Sequence, residues 1–271
     1  MAIENSKKNV TFISGDKTYS MGNGHFYVIA GPCSIESEVQ FLESARSVVA
    51  NGACLLRGGI WKLRSSAQAF QGLGKAAFDI VQKVTSELHT GIVTEVTDPR
   101  QIESLYPMVS IFQVGSRNMH NYALLKELAN QDKPVLLKRG LAAYIDEWLK
   151  AADYVETSGR AQVILCERGI RTFETATRNT LDLNAVAFLK KNSPYPVIVD
   201  PSHAIGIGEL VPDISLAAAA VGADGLIVEV HPAPKEALSD GPQALTPTQF
   251  SQLMIKLEKV LNALDRKLEK K

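Results

Sequence analysis

His25-Phe26-Tyr27-Val28-Ile29-Ala30-Gly31-Pro32-Cys33-Ser34-Ile35-Glu36-Ser37 reads as a buried strand that stops at a Gly-Pro step and enters a polar loop. β-branched and aromatic residues suit a covered, pleated surface, and Gly-Pro ends the ladder. Beyond it, Val39, Phe41, Leu42 and Ala45 recur at helical spacing, so Cys33 falls in a strand-to-helix loop. The same unit repeats down the chain. Strand-like runs fall at residues 26–31, 53–57, 91–96, 110–115, 134–138, 162–167, 196–200 and 225–230. Between and after them lie amphipathic helical stretches, among them 75–88, 121–129, 144–154, 211–221 and 247–268.

Near-continuous apolar strands that alternate with helices imply a parallel sheet covered on both faces. Eight such units point to a closed barrel, and no Gly-x-Gly-x-x-Gly follows the first strand as an open dinucleotide-binding sheet would require. The expectation is an α/β fold, a single (β/α)8 TIM barrel over residues 26–271. Residues 1–25 form an extension in which Val10, Phe12 and Ser14 alternate into Gly15-Asp16-Lys17 and Tyr19, a short β-hairpin.

Composition narrows the function. The 271 residues are 45% hydrophobic and 21% charged, ordinary for a globular chain with a large core. Twenty-nine basic residues balance 29 acidic ones, so there is no general footprint for nucleic acid. No apolar run reaches the roughly 18 residues of a membrane span, and the N-terminal residues lack a signal-peptide core. Cys33, Cys54 and Cys166 make no disulfide framework, and the expected location is the cytoplasm with reduced thiols. Cys54 and Cys166 lie within strands and read as core.

Cys33, Arg57, Glu95, Arg117, Lys138, Glu167, Arg168, Asp200, His203 and Glu229 fall at or just past strand ends. In a (β/α)8 barrel those ends converge on the face that carries the active site. Cys33, His203, Glu229 and Asp240 could hold a metal; thiolate, imidazole and carboxylate suit a borderline divalent ion such as Mn²⁺, Fe²⁺, Co²⁺ or Zn²⁺. Taken singly, a cysteine after a strand is more often a small buried hydrophobe, and a histidine after Asp-Pro-Ser a loop hydrogen-bonder. A carboxylate closing an apolar strand, as Glu229 does, needs a partner. Arg57, Lys62, Arg64, Arg117, Lys138 and Arg168 crowd the same mouth and would repel one another unless an anion sat among them. Arg forks grip phosphate and carboxylate, and Lys adds point charge. The residues alone point to a metal-dependent barrel enzyme acting on phosphorylated acids, or, in a different class, a barrel that only binds phosphorylated ligands.

Several longer stretches carry a resemblance. Gly31-Pro32-Cys33-Ser34-Ile35-Glu36-Ser37, Leu56-Arg57-Gly58-Gly59, residues 167–175 (Glu-Arg-Gly-Ile-Arg-Thr-Phe-Glu-Thr), Asp200-Pro201-Ser202-His203, residues 228–232 and Leu238-Ser239-Asp240 resemble 3-deoxy-D-arabino-heptulosonate 7-phosphate (DAHP) synthases of the type I-beta subfamily. The resemblance implies condensation of phosphoenolpyruvate with erythrose 4-phosphate and water in the shikimate pathway, by a homotetramer. It implies Cys33, His203, Glu229 and Asp240 as metal ligands. Arg117, Lys138, Arg168 and the backbone at Ser116 would hold the donor phosphate. Arg57 and Lys62 would hold its carboxylate, Lys62 would also donate a proton, and Arg64 and Ser65 would contact the aldose phosphate. One departure stands out: the family loop reads Lys-Pro-Arg-Thr where this chain has Lys62-Leu63-Arg64-Ser65. The related 3-deoxy-D-manno-octulosonate 8-phosphate synthases share an Arg-Ser-Ser there, so that enzyme, or another aldose acceptor, is the alternative. Longer family members add a domain that senses aromatic amino acids. Residues 1–25 are too few for such a core, so insensitivity to those effectors is expected.

Overall fold

The structure is a computed structural model that describes residues 7–64 and 66–271. In chain order its elements are β1 (Val10–Ser14), β2 (Lys17–Met21), β3 (Phe26–Gly31), α1 (Glu38–Ala50), β4 (Leu55–Arg57), α2 (Phe78–Glu87), β5 (Ile92–Glu95) and α3 (Ile102–Leu105). β6 (Ile111–Val114), α4 (Tyr122–Ala129), β7 (Val135–Lys138), α5 (Ile145–Glu156), β8 (Val163–Glu167) and α6 (Leu183–Asn192) follow. The chain continues with β9 (Val197–Val199), α7 (Pro201–Ile205), α8 (Val211–Ala220), β10 (Gly225–Glu229), α9 (Pro247–Ala263) and β11 (Leu268–Glu269). Strands β3 to β10 pair in parallel, each with its sequence neighbour, and β10 pairs back onto β3 with Glu229 opposite Gly31. This closes an eight-stranded (β/α)8 barrel, the architecture expected from the sequence.

Side-chain alternation along the strands sorts the core into two layers. Outward positions such as Phe26, Val28, Leu56, Phe112, Leu137 and Val228 pack under the helices. Inward positions Ile29, Leu55, Val93, Ile111, Leu136, Ile164, Ile198 and Ile227 fill the barrel centre. The next inward residues, two further along, are Arg57, Glu95, Gln113, Lys138, Asp200 and Glu229, and on β8 Arg168 comes two residues after the inward Cys166. The period of two therefore carries a dry apolar plug directly into a charged layer at the C-terminal mouth.

The hairpin β1–β2 seals the opposite end. Val10, Phe12, Tyr19 and Met21 join the inward layer through Tyr27 and Ile29. Phe12 stacks on Tyr19 with ring centroids 5.3 Å apart, and both meet Tyr27 edge-on. Ser14 Oγ donates to Cys54 O at 2.7 Å and accepts from Gly91 N at 2.8 Å, tying the hairpin to two strand starts. Cys54 and Cys166 are fully buried, as expected of core thiols.

Two local readings change. Ser37 caps α1, its hydroxyl accepting from Gln40 N at 3.1 Å, but Val39 faces solvent while Phe41, Ala45 and Val48 form the buried stripe. The last helix ends at Ala263 and does not run to residue 268. Asp265 takes a left-handed φ of 53°, which turns the chain, and Leu268 pairs in parallel with Phe26 beneath the barrel.

Candidate functional site

The stretch Asp200-Pro201-Ser202-His203 shows how local physics aims a side chain. Asp200 is the N-cap of α7, and Pro201 occupies the first helical position, where its fixed φ helps and its missing N–H costs nothing. Asp200 Oδ1 accepts from His203 N at 2.9 Å, and its Oδ2 lies 2.7 Å from His203 Nδ1. With Nδ1 held, His203 turns Nε2 towards Glu229 Oε1 at 3.4 Å and Asp240 Oδ2 at 3.8 Å. Cys33, in the loop after β3, donates from Sγ to Asp240 Oδ2 at 3.2 Å. One donor atom from each of Cys33, His203, Glu229 and Asp240 falls within 4.8 Å of all the others. The four residues lie on four separate segments of the chain.

The protonation states suit ligation. Burial pushes the His203 imidazole down, against the pull of Asp200 and Glu229. Burial opposes ionisation of Glu229, yet His203 and Arg57 outweigh it and hold the carboxyl below its usual range. Asp240 follows the same balance, with His203 and Arg178 prevailing over burial. The Cys33 thiol is pushed up to about 12 by burial first and by Glu229 second. Two carboxylates, an imidazole and a thiol fit a borderline divalent cation, which would displace the thiol proton.

Beside this cluster opens a cleft lined by Arg57, Lys62, Arg64, Arg117, Lys138, Arg168, Arg171 and Arg178, with Glu95 and Asp240 as its acidic residues. Arg57 is buried and donates to Glu229 Oε1 at 2.8 Å, while Lys138 pairs with Asp200. Lys62 Nζ lies 3.1 Å from Cys33 Sγ, linking the cleft to the donor cluster. Its ammonium is held above the usual lysine range, because Cys33 and Glu95 outweigh burial.

Arg168 differs from the others. It is 4% exposed, and its guanidinium reaches only Gly169 O, at 3.4 Å. Among the described residues no carboxylate lies within 4.0 Å of it. Its neighbours Arg139 and Glu167 neutralise each other at 2.9 Å, and Glu167 Oε1 accepts from Gly169 N, so the end of β8 is fixed without engaging Arg168. A buried cation with no carboxylate in ion-pair contact, helped only at longer range by Asp200 and Glu167, favours an anion beside it.

The expected residues thus gather at one mouth. Cys33, His203, Glu229 and Asp240 form the donor cluster, and Arg57, Lys62, Arg64, Ser116, Arg117, Lys138 and Arg168 line the cleft. Ser65 lies outside the described residues. The comparisons with known proteins follow the same lines. Residues 4–266 match the family described as DAHP synthetase I. The chain belongs to the DAHP synthetase I family. Phospho-2-dehydro-3-deoxyheptonate aldolase of Thermotoga maritima is 45% identical over 248 residues, 92% of this chain and 73% of that protein. A 2-dehydro-3-deoxyphosphooctonate aldolase of Acidithiobacillus ferrooxidans is 30% identical over 239 residues, 81% of this chain and 83% of that protein. The crystal structure of the Thermotoga maritima DAHP synthase superposes with a TM-score of 0.90 at 43% identity, covering 96% of this chain and 76% of that one. A truncated form of the same enzyme gives 0.87 at 41% identity, covering 96% and 95%.

Within this DAHP synthetase I barrel the structure adds residues that motif reading left without a role. Glu95 and Gln113 face the cleft, and the inward period of two, two residues after Val93 and Ile111, marks both. Arg171, Arg178 and Asn179 also line it, from the irregular segment after β8, and Gln243 lies behind the donor cluster. Neither of those segments carries a periodic signal.

Proposed function

We propose that this member of the DAHP synthetase I family is a phosphoenolpyruvate-dependent transferase that condenses phosphoenolpyruvate with erythrose 4-phosphate and water, giving DAHP and phosphate. One observation carries the reading: a buried, unneutralised Arg168 in a cationic cleft that adjoins a four-donor cluster. The cleft calls for a small multiply charged anion, and the donor cluster calls for a divalent ion beside it.

Arg117, Lys138, Arg168 and the Ser116 backbone hold the donor phosphate; Arg57 and Lys62 take its carboxylate. Bidentate guanidinium contacts fix the plane of the enol and present C3 to the acceptor. Arg64, on the cleft wall, holds the aldose phosphate, with the Ser65 hydroxyl as its second contact. Cys33, His203, Glu229 and Asp240 hold the metal, which supplies a Lewis acid for the aldehyde when bound. Lys62 donates a proton to the aldehyde oxygen as the carbon–carbon bond forms. Glu95 faces the same cleft, makes no hydrogen bond to another described residue, and takes the proton from the water that adds at C2. The C2–O bond to phosphate then breaks, the C2 hydroxyl gives its proton to the departing phosphate, and the ketone of the product remains.

The test is purified protein with phosphoenolpyruvate, candidate aldose phosphates and each divalent metal in turn, with phosphate release followed. Release with erythrose 4-phosphate that stops on chelation is expected. Turnover of a pentose phosphate alone would transfer the assignment to the octulosonate enzyme, and binding without turnover would leave only a phospho-ligand barrel.

A further inference from the structure

Two side chains flanking the donor cluster, Gln243 behind it and Arg178 on the cleft wall, have no part in the chemistry above. Gln243 is 2% exposed and ends the short turn that begins just after Asp240. Its Nε2 donates to Glu229 Oε2 at 2.6 Å. Its Oε1 accepts from Arg178 Nη1, and the same nitrogen reaches Asp240 Oδ1 at 3.3 Å. The neighbours dictate the amide's orientation, since the reverse would set oxygen against carboxylate and NH₂ against guanidinium.

The remaining oxygens point the other way. Glu229 Oε1 faces His203 Nε2 at 3.4 Å, and Asp240 Oδ2 faces Cys33 Sγ at 3.2 Å. Each carboxylate therefore has one oxygen tied to the Gln243–Arg178 relay and one turned into the cluster. Without that tie Asp240 can rotate and offer either oxygen, or both, and Glu229 keeps only the Arg57 bond to Oε1 to set its tilt.

Arg178 is delivered by the helix that also bears His203. Arg178 N donates to Ile205 O at 3.1 Å, Asn179 N to Ala204 O at 2.9 Å, and Asn179 Nδ2 to His203 O at 2.9 Å. Gly206 follows that helix with φ 73°, and a Cβ there would lie 2.5 Å from Arg178 Cβ. The glycine thus lets the arginine stem lie against the helix end.

We infer that Gln243 and Arg178 are positioning residues that set the affinity and geometry of the metal site, by selecting which oxygen of Glu229 and Asp240 faces Cys33 and His203. The inference rests on the metal-dependent reading above. Partners that orient ligands typically change metal affinity 10–100-fold when removed.

Cobalt is the probe. Metal-free protein is titrated with Co²⁺ while the cobalt–thiolate absorption is followed, for wild type, Gln243→Met, Gln243→Glu, Arg178→Met and Arg178→Lys. Wild type develops the band. Gln243→Met and Arg178→Met raise the Co²⁺ dissociation constant about 10–100-fold and change the band's shape. Gln243→Glu weakens binding further by setting a carboxylate against Glu229, whereas Arg178→Lys keeps part of the affinity because an ammonium still donates. Thermal melts of the metal-free variants control for folding. Arg178 has a side chain 35% exposed, so Arg178→Met decides the matter if Gln243→Met does not fold. A wild type that shows the band, with every variant within about twofold of its dissociation constant, overturns this inference alone. A wild type without the band overturns the metal reading and this inference with it.

Discussion

Asp200 Oδ2 lies 2.7 Å from His203 Nδ1, and the same oxygen receives the Lys138 ammonium. A fully buried carboxylate thus joins the donor cluster to the anion cleft. Burial opposes its ionisation, but His203, Lys138 and Arg57 outweigh burial and hold the carboxyl well below its usual range. Asn in its place keeps a single accepting oxygen where both carboxylate oxygens are used, and leaves Lys138, 4% exposed, without a counter-charge. Asp200→Asn is therefore expected to weaken metal binding roughly 10–100-fold. It should also raise the KM for phosphoenolpyruvate and destabilise the fold by about 3–5 kcal/mol. Equilibrium dialysis, steady-state kinetics and thermal melts measure the three effects. Wild-type metal affinity together with an unchanged KM would mean that the two halves of the site act independently.

Arg168 presents the opposite case, a buried charge with no carboxylate in ion-pair contact among the described residues. Arg168→Met removes that charge and keeps much of the stem's apolar volume. The ligand-free variant is expected to be as stable as wild type or more so, because an uncompensated cation leaves the interior. Phosphoenolpyruvate binding should weaken by about 2–5 kcal/mol. Melting with and without phosphoenolpyruvate separates the effects: the ligand raises the wild-type Tm and leaves the variant's unmoved. A ligand-free variant several kcal/mol less stable would make Arg168 a structural residue.

A Cβ at Gly115 would lie 2.1 Å from Glu95 Oε1. Gly115→Ala therefore pushes the Glu95 carboxylate off its position without touching any cation. Both Gly115→Ala and Glu95→Gln are expected to lower kcat by about 10²–10⁴ while the KM for phosphoenolpyruvate changes little, the signature of a lost proton acceptor. A large rise in KM with kcat preserved would instead make Glu95 a binding group.

Burial raises the phenols of both Tyr19 and Tyr27 to about 12. Their folded values lie above the unfolded value near 10, so the stability they contribute is fully present below pH 10. It is lost as pH rises from 10 towards 12, at roughly 1.4 kcal/mol per pH unit for each group. Phenolate absorbance from these two should appear only with unfolding. The hydroxyls differ at neutral pH. Tyr27 OH donates to Ser20 O at 2.7 Å, whereas Tyr19 OH is buried with no partner among the described residues. Tyr27→Phe should lose about 1 kcal/mol and Tyr19→Phe nothing, or gain slightly. Chemical denaturation of the two single variants checks the order.

The barrel was legible because apolar strands alternate with helices, and most strands repeat one pattern: an inward apolar residue, then two positions later a charged or polar one, as in Leu55 and Arg57, or Ile227 and Glu229. The donor cluster was legible only through the longer motifs, because Cys33 and Asp240 lie 207 residues apart and no spacing rule joins them. Arg178 and Gln243 escaped because their place depends on how an irregular loop packs on α7. The end of α9 escaped for a local reason. The apolar pattern runs on through Leu264 and Leu268, and nothing but the left-handed turn at Asp265 separates helix from strand.

Leu63 stands where the family loop has proline, between Lys62 and Arg64, and the structure gives that departure a physical setting. Leu63 is 38% exposed on the cleft wall, and its carbonyl accepts from Arg117 Nη1 at 3.4 Å. Its own N–H donates to none of the described residues, so proline there removes no hydrogen bond and restricts only the backbone. Lys62 N is already pinned to Gln71 O at 2.9 Å, whereas the Arg64 side chain reaches Asp240 Oδ2 only at 4.0 Å. A freer Arg64 grips the aldose phosphate less rigidly, and misplacement of about 1 Å can cost about a hundredfold in rate. The wild-type protein is therefore expected to turn over four- and five-carbon aldose phosphates, with erythrose 4-phosphate preferred. Leu63→Pro should lower the KM for erythrose 4-phosphate, with smaller gains for the pentose phosphates. The measurement is kcat/KM for each aldose in both proteins, at saturating phosphoenolpyruvate. If wild type accepts erythrose 4-phosphate alone and Leu63→Pro leaves every ratio unchanged, the loop departure is neutral and acceptor choice resides in the rim arginines.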